Sequence, residues 1–368
     1  MIYTIEESTA KSLANQVRRL TGTTDEMSTR EMAVKLVSVA AGSGSSTSGF
    51  PNGTQWTIGT GEIVGILALK YGNGTWFCVS HSGFYYSLDG KTWKPCDVEL
   101  EYDIQIVDRY VDFGDGLWIV SNHSDGFYTS EDGITWTKLI NSEHMSTGGC
   151  GIKYANGLWI AGSATNGIFY SEDGKTWVQS NITSDGGQYI SFEKGMYFCN
   201  DWKMHYYSYD GKTWESVPQS NSELEYVNYG KGLFVGANHG FVYSTDGITW
   251  TQSNISMQYG HAYCPIVYES GLFVGSIVSN GIYYSDDGKI WVQSNVTNVS
   301  VWGISKSNGI WVATTTAGIY YSLDGKVWVK SNISTYCGFG VPINKDGIWV
   351  ASTAYYESSP CYSVTWEP

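Results

Sequence analysis

The chain has 368 residues, including 44 Gly, 28 Tyr and 16 Trp, and its formal net charge is −14. This abundance of aromatic and turn-forming residues is typical of an all-β protein with many tight turns. The first 48 residues hold five acidic and five basic side chains, so the negative excess lies on the remainder. Such a surface repels nucleic acid and anionic polymers, and we expect no nucleic-acid partner.

The N-terminal segment, residues 1–41, carries the only convincing helical pattern. Ser8 and Ser28 are placed to cap two short amphipathic helices. Two such helices bury little surface alone, so we expect them to pack on a partner or on copies of themselves, which leaves a homotrimer open. Residues 42–50 are rich in Gly and Ser, which predicts a flexible linker before the repeat domain at 51–368.

No apolar run reaches membrane length and the N-terminus shows no signal-peptide pattern, so we expect cytoplasmic synthesis and no membrane partner. The seven cysteines occur singly, without metal-ligand spacing, and their odd number argues against a disulfide framework. Cys78 and Cys199 lie in apolar strand patterns and are predicted to be buried. Cys337 and Cys361 could meet in the last repeat. We predict no metal site and no cofactor.

A seven-residue phrase, Ser-x-Asp-Gly-x-x-Trp, occurs seven times between residues 87 and 328, with its Trp residues 36 to 43 positions apart. A fixed period made of strand and turn signals predicts small sheets closed into a ring. One unit divides into four strands, predicted at residues 301–305, 309–314, 318–322 and 327–331. Four antiparallel strands in each unit make a β-propeller blade.

The number of blades follows from the second strands, which begin with Gly and number eight. The chain ends on a third strand near residues 361–366, and the repeat domain begins with a turn and a fourth strand near Trp56. We therefore expect the N-terminal strand to complete the last blade, which removes exposed sheet edges. The predicted fold is an eight-bladed, all-β propeller, with seven blades as the alternative if the first or last unit is not a full sheet.

Each position of the phrase has a role in a turn. The Asp carboxylate and the Ser hydroxyl can accept backbone N–H groups, Gly supplies a positive φ, and Trp packs against the neighbouring strand or blade. We therefore assign a structural role to the seven aspartates: Asp89, Asp132, Asp173, Asp210, Asp246, Asp287 and Asp324.

The phrase resembles the Asp-box of BNR-repeat propellers, which occur in sialidases and several polysaccharide-active enzymes. The resemblance covers residues 51–368 and departs in one place, since the usual Asp-box has a residue between Asp and Gly. It implies a propeller whose boxes lie away from the active face. Sialidases also share a trio of arginines around the substrate carboxylate, whereas Arg109 is the only arginine in this repeat domain. Sialidase activity is therefore not expected.

Residues 12–33 resemble a short module of tail-associated proteins from phages and prophages of Gram-positive bacteria. The pattern is a helix, Thr-Gly-x-Thr-Asp, Met and a second helix. The resemblance implies attachment to a virion tail through contacts with other tail proteins.

The loops between second and third strands, and the segments that lead into first strands, vary most between repeats. Aromatic rings mixed with Asn, Asp and His suit sugars, because rings stack on a pyranose and polar groups bond its hydroxyls. We predict a glycan-binding face formed by His81, Asn122, His123, Asp125, Asn166, Tyr189, Trp202, Tyr226, His239, Asn280, Trp302 and Tyr336. The alternative is that these residues serve turn chemistry and blade packing.

These patterns predict a tail receptor-binding or adhesion protein that recognises a host cell-surface polysaccharide. Two alternatives stay open, a polysaccharide depolymerase and a purely structural tail component. A hydrolase needs two suitably spaced carboxylates. Asp125, Asp201 and Glu357 are loop candidates, but no pair has an informative spacing, so we assign no catalytic residue. The recurrent asparagines after fourth strands match glycosylation sequons, and we interpret them first as turn elements: Asn181, Asn254, Asn295 and Asn332.

Overall fold

The computed structural model describes residues 53–61, 63, 65–98, 100, 110–123, 125–146, 150–200, 205–217, 224, 226–238, 240–256, 265–333, 337, 340–352 and 360–364. The predicted helices, the linker and the tail-module resemblance lie outside these residues. So do three predicted ligand-face residues, Trp202, His239 and Tyr336.

The described chain forms eight antiparallel sheets of four strands each. In seven of them the strands follow sequence order from the axis outward, and in the eighth the outer strand comes from the N-terminal end of the repeat domain. Blade 1 contains β2 (Ile66–Gly72), β3 (Thr75–Ser80), β4 (Gly83–Ser87) and β5 (Lys94–Pro95). Blade 2 contains β6 (Val111–Gly114), β7 (Leu117–Asn122), β8 (Gly126–Ser130) and β9 (Thr137–Lys138). A short helix, α1 (Glu143–Ser146), follows. Blade 3 contains β10 (Cys150–Ala155), β11 (Leu158–Ser163), β12 (Gly167–Ser171) and β13 (Val178–Gln179). Blade 4 contains β14 (Tyr189–Glu193), β15 (Met196–Asn200), β16 (His205–Ser208) and β17 (Glu215–Ser216).

The second half of the ring repeats the same plan. Blade 5 contains β18 (Val227–Gly230), β19 (Leu233–Asn238), β20 (Gly240–Ser244) and β21 (Thr251–Ser256). Blade 6 contains β22 (Ile266–Glu269), β23 (Leu272–Ile277), β24 (Gly281–Ser285) and β25 (Val292–Thr297). Blade 7 contains β26 (Val301–Ser307), β27 (Ile310–Thr315), β28 (Gly318–Ser322) and β29 (Val329–Lys330). Blade 8 contains β30 (Ile343–Lys345), β31 (Ile348–Ala351), β32 (Cys361–Val364) and β1 (Thr57–Ile58).

Blade 8 confirms the predicted closure of the ring. Thr57 pairs with Tyr362 and Ile58 pairs with Cys361, so the N-terminal strand becomes the outer strand of the last sheet. Because this sheet is complete, the eight-blade prediction is confirmed and the seven-blade alternative is excluded. In blade 7 the third strand matches its prediction, while the fourth is shorter, at Val329–Lys330.

Apolar side chains form the core between neighbouring blades. Phe77 of blade 1 lies 5.4 Å from Trp118 of blade 2, between ring centroids, and Phe198 of blade 4 lies 5.6 Å from Phe234 of blade 5. The first strands of successive blades contact one another around the axis. The predicted burial of Cys78 and Cys199 is confirmed, since both are 0% exposed. Cys337 and Cys361 lie in one apolar cluster of blades 7 and 8 and are not joined by a disulfide.

The antiparallel order gives the ring two different faces. Turns that join first to second strands and third to fourth strands lie on one side, which we call the hairpin face. Loops that join second to third strands, and connections between blades, lie on the other, which we call the loop face. The hairpin face contains the repeated phrase, and the loop face contains those predicted ligand residues that the structure describes.

Candidate functional site

The repeated phrase forms the same hydrogen-bonded hairpin in each of its copies. In blade 1 the Ser87 hydroxyl donates to Asp89 Oδ1 at 2.9 Å and accepts the Gly90 N–H at 2.8 Å. Asp89 Oδ1 also accepts the N–H groups of Lys91 and Thr92, at 2.8 and 2.7 Å. Gly90 has a φ of 70°, which favours glycine. The aspartates are thus engaged within their own turns.

These bonds lower the pKa of the hairpin carboxyls. The backbone N–H groups of Thr176 and Lys175 lower the pKa of Asp173 to about 2, and that of Thr249 does the same for Asp246. In four more hairpins burial raises the pKa, but the backbone donors outweigh it and the net shift is downward, at Asp89, Asp132, Asp210 and Asp287. A carboxylate held by backbone N–H groups is a stable structural anion.

An eighth hairpin is assembled from both ends of the repeat domain. The Ser363 hydroxyl accepts the Gly53 N–H at 2.9 Å, the bond that Ser87 makes with Gly90 in blade 1. Trp56 Nε1–H donates to the Gly53 carbonyl at 3.0 Å, as the hairpin tryptophans of several other blades donate to their own glycines. The Ser, Gly and Trp positions of the phrase are therefore present eight times in space, although the full phrase is written seven times in sequence.

The recurrent asparagines connect neighbouring blades. Each lies four residues after a hairpin Trp, and its side-chain amide faces the hairpin Trp of the next blade. The Asn Nδ2–H donates to the Trp carbonyl and the Trp N–H donates to Asn Oδ1, at 2.7 to 3.0 Å. The pairs are Asn181 with Trp214, Asn254 with Trp291, Asn295 with Trp328, and Asn332 with Trp56. We call the interface between two neighbouring blades a seam and this pair of bonds the seam latch. The interpretation of these asparagines as turn elements missed their role between blades.

At two other seams, main-chain groups form the equivalent pair of hydrogen bonds. The Thr60 N–H donates to the Lys91 carbonyl and the Trp93 N–H donates to the Thr60 carbonyl, both at 2.9 Å. Asp97 makes the equivalent pair with the main chain of Ile134 and Trp136, at 2.9 and 3.0 Å. Thr60 and Asp97 occupy the same position as the latch asparagines, four residues after the hairpin Trp.

On the loop face, the predicted residues Asn122 and Asp125 lie together beneath the surface. Asp125 is 0% exposed, and its carboxylate accepts the Tyr128 hydroxyl at 2.5 Å and the Lys138 ammonium at 2.9 Å. Asn122 Nδ2 lies 3.4 Å from the same carboxylate. These groups hold the second-to-third loop of blade 2 onto its fourth strand. No sequence pattern indicated Lys138, because only the folded blade brings its side chain under the loop.

Tyr189 and Tyr226 are the second predicted pair that the fold brings together. Their rings meet edge to face, 5.6 Å apart between centroids. Tyr189 is buried, while Tyr226 is partly exposed at the entrance to blade 5.

The remaining described residues lie on separate blades. His81 is exposed, and His123 is partly exposed. The main-chain carbonyl of Asn166 accepts Gln179 Nε2–H at 2.9 Å, and that of Asn280 accepts Gln293 Nε2–H at 2.7 Å. These bonds hold the main chain of each loop to the fourth strand of its blade. Trp302 packs against the apolar cluster between blades 7 and 8.

A charged group lies nearer the axis, on three successive first strands. Lys153 Nζ is 3.3 Å from Asp112 Oδ2. Burial raises the pKa of Glu193 to about 7, against the opposing effects of the Tyr229 backbone N–H and the Lys153 charge. The sequence did not indicate this group, because its members come from three repeats. Within the described ranges, no three His, Cys, Asp or Glu side chains are grouped to hold a metal ion. Of the helices that the structure describes, none is long and apolar enough to cross a membrane.

Comparisons with known proteins support the fold. No protein-family model and no curated protein matches the chain. The computationally designed Ika8 protein has a TM-score of 0.62 at 11% identity, over 85% of this chain and 100% of that one. BamB from Moraxella catarrhalis has a TM-score of 0.52 at 9% identity, over 85% and 100%. YCF48 from Cyanidioschyzon merolae has a TM-score of 0.50 at 12% identity, over 72% and 97%.

At these identities the likeness shows the fold alone. The molecule is an eight-bladed β-propeller with four-stranded blades, one uniform face and one variable face.

Proposed function

We propose that this propeller is a tail-associated receptor-binding or adhesion protein of a phage or prophage, which binds a neutral cell-surface polysaccharide through its loop face. The contrast between the two faces is the observation that carries this proposal. On the hairpin face the Asp and Ser side chains are engaged in one repeated set of turns. On the loop face the residues differ from blade to blade and mix aromatic rings with amide and imidazole groups, a combination suited to sugars.

The charge of the repeat domain supports a neutral ligand. Its acidic excess opposes the approach of anionic polymers, and Arg109 is its only guanidinium group. The resemblance of residues 12–33 to a tail module supports attachment to a virion, where the propeller faces the host. In this assembly the N-terminal segment contacts other tail proteins.

A depolymerase receives less support from the described part of the loop face. Asp125 is the one described carboxylate among the three loop candidates, and its buried ion pair with Lys138 leaves it unavailable to a substrate. Asp201 and Glu357 lie outside the described residues.

The alternative to a glycan receptor is a protein receptor, and an experiment must distinguish the two. One similar structure is that of YCF48 bound to a D1 peptide. It has a TM-score of 0.53 at 14% identity, over 71% of this chain and 93% of that one. A purely structural tail component would also contact a protein.

The test is binding of the full chain to cells of a Gram-positive panel and to their purified neutral polysaccharides. The loop-face variant His81→Ala combined with Tyr226→Ala is expected to weaken binding. Leu88→Ala is the matched control, since Leu88 is 69% exposed on the hairpin face. Binding that survives removal of the polysaccharide but is lost after protease treatment of the cells would replace the glycan with a protein receptor. Release of reducing ends from the polysaccharide would instead establish a depolymerase.

A further inference from the structure

The seam between blades 2 and 3 lacks the latch that closes six other seams. Four residues after the hairpin Trp of blade 2, the position that holds Asn181 in blade 3, the chain has Ile140. Ile140 is 83% exposed, and its aliphatic side chain cannot form the bonds that the asparagines make. Among the backbone hydrogen bonds of the described residues, Ile140 also forms no pair like those of Thr60 and Asp97. The seam between blades 4 and 5 has Pro218 at this position, which lies outside the described residues.

The missing latch correlates with the burial of the next tryptophan. At the six latched seams the hairpin tryptophans are only 2 to 6% exposed. Trp177, which follows the unlatched seam, is partly exposed. Its ring is nevertheless held in place, because it meets Phe127 edge to face at 5.2 Å and its Nε1–H donates to the Gly174 carbonyl at 3.2 Å. Trp177 is thus a fixed aromatic surface that solvent reaches.

A groove of about 410 Å³ opens over this surface. Its apolar walls are Ile140, Met145 and Phe169, and its polar groups include the side chains of Asn141 and Gln179. The groove lies at the outer rim of the ring, between the chain that leaves blade 2 and the hairpin of blade 3.

A second cavity, of about 550 Å³, adjoins the same hairpin on its other side. Thr176 lines both cavities. The second cavity contains Tyr170, whose ring lies 5.6 Å from the Lys212 ammonium, and Val178, which is 47% exposed. An extended ligand would therefore meet one aromatic ring on each side of the hairpin.

From these observations we infer that the open seam between blades 2 and 3 is a binding site for a neutral oligosaccharide, with the Trp177 ring stacked on a pyranose. An aromatic platform beside amide and hydroxyl groups is the chemistry that sugars need. The charged side chains around the two cavities are paired: Lys175 Nζ lies 3.4 Å from Glu131 Oε1, and Lys212 Nζ lies 2.7 Å from Glu172 Oε1. The Asp173 carboxylate is held by backbone N–H groups of its own hairpin. Because these charges are already engaged, the site favours a neutral ligand over a charged one. The choice of a sugar ligand rests on the proposed function, and the site itself is separate from the loop face.

The test compares three variants of the full chain against short neutral oligosaccharides prepared from the polysaccharide that the wild-type protein binds. Trp177→Ala removes the platform, and Trp177→Phe keeps an aromatic ring. Ile140→Asn introduces the residue that forms the latch at other seams. We expect Trp177→Ala and Ile140→Asn each to weaken binding about tenfold, while Trp177→Phe retains most of the affinity. Wild-type tryptophan fluorescence is expected to change on binding, and this change is lost in Trp177→Ala.

Ile140→Asn separates loss of the site from loss of the fold. If the new amide latches onto Trp177, the melting temperature rises while binding falls, and unfolding cannot produce that combination. If Ile140→Asn is destabilised, the comparison of Trp177→Ala with Trp177→Phe decides whether the aromatic ring binds the ligand. If all three variants bind the oligosaccharides as well as the wild-type protein does, and only the loop-face variant loses binding, the seam site is overturned and the proposed function stands. If the wild-type protein binds no polysaccharide, both proposals are wrong.

Discussion

Gly53 donates its backbone N–H to the hydroxyl of Ser363 at 2.9 Å, across a sequence separation of 310 residues. In the other hairpins the same bond joins residues only three apart, such as Gly90 and Ser87. The two ends of the repeat domain thus rebuild a local turn as a long-range contact. Local hairpins and the ring closure therefore share the Ser–Gly and Trp–Gly hydrogen bonds.

Ser363→Ala tests this closure. The change removes the acceptor of the buried Gly53 N–H, and we expect the free energy of unfolding to fall by about 1–2 kcal/mol. Ser171→Ala, which affects an internal hairpin, is the matched control with a similar loss. Only Ser363→Ala is expected to speed amide exchange in β1, measured by hydrogen exchange with mass spectrometry. Equal exchange in both variants would show that closure does not depend on this hairpin.

Asn332→Ala tests the latch that joins blades 7 and 8. It leaves the N–H and the carbonyl of Trp56 without their side-chain partner, and we expect a loss of about 1–3 kcal/mol in urea denaturation. Asn295→Ala removes the corresponding latch one seam earlier and controls for the loss of an amide pair. Unchanged stability in both variants would mean that water replaces the latch at no cost.

Acid is expected to destabilise the propeller through its hairpin aspartates. The pKa of Asp173 and of Asp246 falls from an ordinary value of 3.8 to about 2 in the folded protein. Their contribution to stability is present above pH 3.8 and is lost as the pH falls through about 2, since the unfolded chain takes up protons first. A denaturation series between pH 5 and pH 2 measures this loss. Asp173→Asn should flatten the acid limb, and an unchanged slope would contradict the assignment.

Glu193 is expected to have the opposite dependence on pH. Its pKa rises from 4.5 to about 7 on folding, so stability falls as the pH rises from about 4.5 through 7. Glu193→Gln removes the buried charge, and we expect it to stabilise the protein by about 1 kcal/mol at pH 8 and to leave it unchanged at pH 4. Glu269→Gln, at an exposed and equivalent position in blade 6, is the control and should have no effect. Parallel pH profiles for wild type and Glu193→Gln would refute the prediction.

Lys138→Met tests the interpretation of Asp125 as a structural residue. The change leaves a buried carboxylate without its cation, and we expect a loss of about 3–5 kcal/mol. The double variant with Asp125→Asn should recover part of it, because the uncompensated charge is gone. Thermal unfolding of the four proteins gives the coupling energy. A coupling energy near zero would contradict the structural role assigned to this ion pair.

The sequence predicted the architecture well, because the repeated phrase marks a local hairpin whose partners lie within five residues. The positions of Trp56 and of the last third strand were enough to predict the closing blade. Only part of the latch could be recognised in the sequence. Its asparagines recur in sequence, but their partners are backbone groups some 33 to 37 residues away at internal seams. The candidate ligand residues were chosen by loop position, and position does not reveal that Asp125 and Tyr189 are buried.

The amino-acid sequence by itself determined the number of blades, the order of strands and the chemistry of each hairpin, since these depend on short-range hydrogen bonds and on the alternation of apolar residues. Only the tertiary structure decided which side chains reach solvent and which seams are closed. Those properties depend on how one blade packs on the next. Ile140 occupies the position at which Asn, Thr or Asp forms a latch at six other seams, and it accompanies a seam without a latch and a tryptophan that solvent reaches.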